Sequence, residues 1–100
     1  MSPTELSLRH LRKRFALVAV TERWNPHARC RQDLFGCIDI LAVGPGTLAV
    51  QTTTGANLSA RVKKLRASPA VPILEAAGWR ITAHGWVKRK GRWVLREQAP

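Results

Sequence analysis

The 100-residue chain carries 17 Lys and Arg against 6 Asp and Glu, a formal net charge of +11, and 45% of its residues are hydrophobic. A length of ~100 residues suits one domain with one core, so residues 1–100 are expected to form a single unit, and a two-domain enzyme with an interdomain cleft is excluded. The ordinary apolar content excludes a disordered polybasic tail. The charge points to polyanionic partners, nucleic acid before membrane, because clustered Lys and Arg release condensed counterions on binding.

The first uninterrupted apolar run, Phe15 to Val20, is shorter than the ~20 residues of a membrane span and than a typical signal-peptide core. A cytoplasmic protein with no membrane partner is therefore expected. Cys30 and Cys37, with six residues between them, match neither zinc-site spacing nor a disulfide scaffold, and are expected as free thiols.

Taken in order, Ser2-Pro3-Thr4-Glu5 reads as a capped helix start, with Leu8, Leu11 and Phe15 at helical spacing, which predicts a helix over residues 3–14. A β-rich run predicts one strand from Phe15 to Trp24, ended by Asn25-Pro26, and residues 25–34 read as a polar loop. Two apolar runs, Cys37 to Val43 and Leu48 to Thr53, flank Gly44-Pro45-Gly46-Thr47 and predict an antiparallel hairpin within residues 35–54. Leu58, Val62 and Leu65 predict a helix over 56–67, ended by Ser68-Pro69. A short helix over 73–77 stops at Gly78, and strands over 79–87 and 93–97 flank Lys88-Arg89-Lys90-Gly91.

The basic residues fall into clusters around Arg9–Arg14, Arg23–Arg31, Arg61–Arg66 and Arg80–Arg96, with none between Gln32 and Ala60. That gap holds Asp33 and Asp39, so an acidic centre ringed by cationic edges is expected. Arg12, Arg29, Arg31, Arg61, Lys63, Lys64, Lys88, Arg89 and Lys90 are the candidate nucleic-acid contacts. Of the four tryptophans, at 24, 79, 86 and 93, at least two are expected in the core. His10, His27 and His84 have no metal-ligand spacing and are read as structural or surface residues.

Asp39 sits inside an apolar run, where an unpaired carboxylate carries a heavy desolvation cost. If the loop is Gly44 to Gly46, Val43 faces Thr47 and Asp39 faces Gln51, which puts Gln51 and Thr53 on the face of Asp39. Two readings of that pair stand side by side. It is either a set of oxygen ligands for a hard cation or a structural hydrogen bond.

The segment Asp33-Leu34-Phe35-Gly36-Cys37-Ile38-Asp39-Ile40-Leu41-Ala42-Val43, with Leu48-Ala49-Val50-Gln51-Thr52-Thr53, resembles the hairpin of the PD-(D/E)XK nuclease superfamily. Within it, the likeness is to the small Holliday junction resolvase-like and virus-type replication-repair nucleases. The resemblance runs from about Glu5 through Leu65 and implies an α/β, restriction-endonuclease-like αβββαβ core with a mixed sheet, to which the late strands add a C-terminal β-hairpin. It implies that Asp39 and Gln51 hold Mg²⁺ or Mn²⁺, that Glu5 is an additional acid, and that the protein is a DNA-binding homodimer. Thr53 stands where the family has its catalytic lysine, and Lys64, or its neighbour Lys63, is the substitute that the following helix can supply. The expected function is that of a DNA-binding nuclease-fold protein with weak Mg²⁺-dependent endonuclease or resolvase activity on phosphodiester bonds. Alternatively, it is a catalytically inactive module of the same fold that binds nucleic acid or a protein partner.

Overall fold

The computed structural model describes residues 1–100. Helix α1 (Pro3–Arg12) opens as its capping sequence dictates: Ser2 Oγ accepts the Glu5 amide at 3.2 Å, and Pro3 occupies the first turn, where no N–H is needed. It ends at Arg12, short of the expected residue 14. The amides of Arg14 and Phe15 both turn back to the Leu11 carbonyl, which lets Phe15 fold onto the core around Leu11.

Strand β1 (Leu17–Val20) is followed by a two-stranded antiparallel ribbon, β2 (Arg23–Asn25) and β3 (Cys30–Gln32). The single strand expected over 15–24 is thus two, and the expected loop over 25–34 carries β3. The cause lies in the neighbouring strand, β4 (Ile40–Val43), which starts three residues later than the apolar run from Cys37 suggests. Residues 34–38 instead curl into a turn closed by a Leu34–Ile38 bridge. The Thr21 amide still reaches the Asp39 carbonyl at 2.8 Å, but beyond it the chain has no partner in the main sheet. Residues 23–25 therefore pair with 30–32.

Strand β5 (Thr47–Thr54) runs antiparallel to β4 through the expected tight turn, with Val43 opposite Thr47. A 3-10 turn (Gly55–Asn57) leads into α2 (Leu58–Ala67), two residues inside the expected start, and α3 (Ala70–Ala76) follows. The α3 helix starts before Pro72, not after it, because a proline in a first turn lacks only an N–H that has no helical partner there. Strands β6 (Arg80–Arg89) and β7 (Arg92–Gln98) form the C-terminal hairpin. It turns through Lys90 and Gly91, with φ of 49° and 77°, the pair of left-handed residues that a two-residue hairpin turn requires.

The main sheet has the order β1-β4-β5-β6-β7 and is mixed, because β5 and β6 are parallel while every other pair is antiparallel. Helix α1 covers one face over Leu11, Ile40, Ala42, Leu48 and Val50. Helices α2 and α3 cover the other, where Val62, Leu65, Val71 and Leu74 meet Ala49, Ile81 and Ala83. The fold is therefore α/β. With the ribbon and α3 set aside, the element order is αβββαβ, whose last strand β6 is extended by β7 into the hairpin.

Two tryptophans serve the core: Trp86 is buried, and Trp79 packs against the α2–α3 side. No helix is long and apolar enough to cross a membrane.

Candidate functional site

Carried one residue beyond the Ile40–Val50 pair, the β4–β5 register sets Asp39 across from Gln51. Gln51 Nε2 donates to Asp39 Oδ2 at 3.0 Å, and the Thr52 amide donates to the same oxygen at 2.9 Å. The structural hydrogen bond weighed from spacing is thus present. It uses only half of the glutamine amide: Gln51 is 2% exposed, and its buried Oε1 has no hydrogen-bond partner. A buried acceptor without a donor is costly, and a cation is one of the few species that relieves it without a proton.

Two further carboxylates converge here that sequence reasoning did not assign as ligands. The ligand oxygens of Glu22, Asp33 and Asp39 all lie within 4.8 Å of one another. Glu22 follows the Thr21–Asp39 backbone bond, and Asp33 is brought back by β3, so the ribbon delivers both acids. Asp33 was visible as an acid within the motif. Glu22 had no sequence signal, because its position depends on a break in the strand. Burial, reinforced by the Asp33 carboxyl, pushes the Asp39 carboxyl up from 3.8 to about 7, while the Thr52 amide pulls the other way.

These groups line a cavity of about 660 Å³ whose lining includes no hydrophobic residue. Arg31 reaches it from β3 and pairs with Glu22 Oε1 at 2.7 Å. Helix α2 contributes Arg61 and Lys64. Their spacing of three places both on one side of the helix, whereas Lys63 lines a separate depression with Ser59 and Arg66. Of the two lysines named from the sequence, Lys64 is the one at the site.

Two other expected members are not there. Glu5 is exposed and outside the lining, and Thr4 is what α1 brings to the cavity, since one residue along a helix turns the side chain by about a quarter of the circumference. Thr53 is buried and does not line the cavity. Arg12, Arg29, Lys88, Arg89 and Lys90 are exposed and lie beyond it.

No family model, curated protein or solved structure matches the chain. Its chemistry is therefore argued from the donor set. Three carboxylates and one amide oxygen are hard ligands of the kind Mg²⁺ and Mn²⁺ accept, and they bring more negative charge than Asp39 and Gln51 alone. The flanking Arg31, Arg61 and Lys64 suit an anionic substrate.

On the opposite face of the sheet, His84 is fully buried between Ser7 and Glu97. Burial lowers its pKa, with Glu97 opposing, so the ring is neutral near pH 7. This agrees with the structural role expected for it.

Proposed function

We propose that the protein is a divalent-cation-dependent DNA endonuclease of the PD-(D/E)XK type, with its centre at Asp39. The observation that supports this reading best is the convergence of Glu22, Asp33 and Asp39 beside the unpartnered Gln51 Oε1, in a cavity rimmed by Arg31, Arg61 and Lys64. Glu22, Asp33, Asp39 and Gln51 Oε1 would hold Mg²⁺ or Mn²⁺. Such an ion supplies Lewis acidity and an acidified water for attack on phosphorus.

The chain's own residues do the rest. Gln51 Nε2 and the Thr52 amide fix the Asp39 carboxylate by two hydrogen bonds to Oδ2, leaving its other oxygen for a ligand. Lys64 and Arg61 bring positive charge to the developing charge on the phosphate, the task that the family gives to the lysine whose place Thr53 takes. The basic groups outside the cavity hold the DNA backbone through counterion release.

The test joins metal binding to cleavage. Mn²⁺ binding followed by calorimetry, and cleavage of plasmid and branched DNA with added Mg²⁺ or Mn²⁺, are both expected for the unmodified protein and both expected to vanish in Asp39→Ala. With ~6 phosphates neutralised, DNA affinity should fall with a log–log salt slope of about −5. DNA binding without cleavage under any metal condition would move the protein to the non-catalytic reading. Cleavage that survives Asp39→Ala would refute the site. Sedimentation of the DNA complex would report whether two copies act together, each addressing one strand.

A further inference from the structure

Phe35 is held in a conformation that its own fold does not repay. Its φ is 55°, in the left-handed region that a bulky side chain rarely adopts, and the residue is 58% exposed, so packing within the chain offsets little of the strain. It occupies the turn before β4, between Asp33 and Gly36, both of which line the carboxylate cavity. The turn is well tied, with the Gly36 amide on the Asp33 carbonyl at 2.9 Å and the Leu34–Ile38 bridge across its base. The ring is thus presented from a fixed mount at the rim of the site.

A second exposed aromatic lies on the neighbouring ribbon. Trp24 is 60% exposed and stands opposite Arg31 in the β2–β3 register, while Arg31 in turn pairs with Glu22 at the cavity. Arg23 and Gln32 border both the depression beside Phe35 and the one beside Trp24, so the two depressions adjoin across that pair of the ribbon. Residues 23–32 contain Arg23, Arg29 and Arg31 and no acid. Aromatic faces interleaved with guanidinium groups match an unpaired nucleic-acid strand, whose bases stack and whose phosphates pair, and do not match duplex DNA, whose base faces are already stacked.

We propose that Phe35 and Trp24 stack on unpaired bases of a DNA strand whose backbone runs along Arg23, Arg29 and Arg31, so that the DNA entering the carboxylate cavity is single-stranded or frayed. This rests on the DNA-cleaving reading and narrows its substrate. Stacking is tolerant of base identity, so the site selects for strand state and not for sequence.

Binding measured in EDTA separates this from catalysis. A short single strand and a blunt duplex of the same sequence are titrated by fluorescence anisotropy against the unmodified protein, Trp24→Ala, Phe35→Ala and Phe35→Gly, and an aminopurine placed in the single strand reports stacking. The single strand is expected to bind more tightly than the duplex. Each substitution should weaken single-strand binding by roughly five- to a hundred-fold and leave duplex binding within about twofold. Phe35→Gly should also raise the melting temperature, because glycine accepts the backbone angle freely, so its loss of affinity cannot be put down to unfolding. Unchanged single-strand binding in these variants, or equal losses on single strand and duplex, would overturn the inference and leave the DNA reading standing. Failure of the unmodified protein to bind DNA of either form would remove the DNA reading, and this inference with it.

Discussion

Ser7 Oγ lies 2.9 Å from His84 Nδ1, and His84 Nε2 lies 3.2 Å from Glu97 Oε2, so serine, imidazole and carboxylate stand in the order of a hydrolase relay. Ser7 has no exposed surface, and its oxygen also accepts Trp86 Nε1–H at 2.9 Å and lies 2.8 Å from Thr52 Oγ1. No substrate reaches it. The bonding partners assign a neutral ring with Nε2–H toward Glu97 and the Ser7 hydroxyl donating to Nδ1, while the single Thr52 hydroxyl proton is shared between Ser7 Oγ and the Pro3 carbonyl at 3.2 Å. The group is a buried clamp that ties α1 to β5 and β6.

Ser7→Ala should therefore destabilise the fold by about 2–4 kcal/mol, because it leaves the Trp86 N–H and His84 Nδ1 buried without partners while opening almost no cavity. Urea denaturation gives the midpoint shift. His84 adds a pH dependence. Its folded pKa lies below the ordinary 6.5, so the unfolded chain takes up a proton first, and the contribution of the neutral ring, complete above pH 6.5, is lost as the pH falls below that value.

Asp39 works in the opposite direction. Its folded carboxyl keeps a proton up to about pH 7, whereas the unfolded one releases it near 3.8, so the native state binds the extra proton between these values and stability falls as the pH rises through that window. Asp39→Asn should remove the fall, leave the rise due to His84 and His10, and be more stable than the unmodified protein at pH 8. Melting temperatures against pH test this. Added Mn²⁺ should raise the melting temperature of the unmodified protein at pH 8 and not that of Asp39→Asn.

Lys64→Ala should lower DNA cleavage by ~100-fold or more, the scale of losing one charge stabiliser at a reacting centre, while Lys63→Ala should stay within about twofold. Thr53→Lys should not restore a loss at Lys64, because position 53 is buried outside the cavity lining and an ammonium there must be desolvated. Single-turnover rates with Mn²⁺ distinguish the variants.

Gly55 is required for close approach. A Cβ built there meets Val87 Cγ2 inside contact distance, where the 3-10 turn crosses β6 on its way into α2. Gly55→Ala should cost about 1–3 kcal/mol through overpacking, and Val87→Ala in the same chain should recover part of it. A double-mutant cycle in urea reads the coupling. Equal costs in both backgrounds would show that the two residues do not interact.

The hairpin around Gly44-Pro45-Gly46 was legible because turn chemistry fixes a register locally, and a register decides which side chains share a face. The pairing of Asp39 with Gln51 followed from that alone. The rest of the site was not local. Glu22 and Asp33 reach Asp39 only because β1 runs out of partner at Thr21 and the chain doubles back as a ribbon, an outcome decided by where β4 begins. The choice between Lys63 and Lys64 depended on the rotation of α2 about its axis, and a lone histidine in an apolar strand could not disclose Ser7, which is distant in sequence and adjacent in space. Glu5 was placed one residue away from the side chain that faces the cavity, an error of about a hundred degrees around a helix.

The two margins of the main sheet differ in a way that governs what happens to concentrated protein. Along β7, Arg92 and Arg96 stand exposed on either side of Trp93 and Val94, whereas along β1 the open margin carries Leu17, 68% exposed, and Val20, 44% exposed, with no charge in the strand. A second copy that added itself against β1 would bury both apolar margins and leave two cationic ones facing outward, each repelling the next arrival. Growth by strand addition would therefore be opposed beyond a pair.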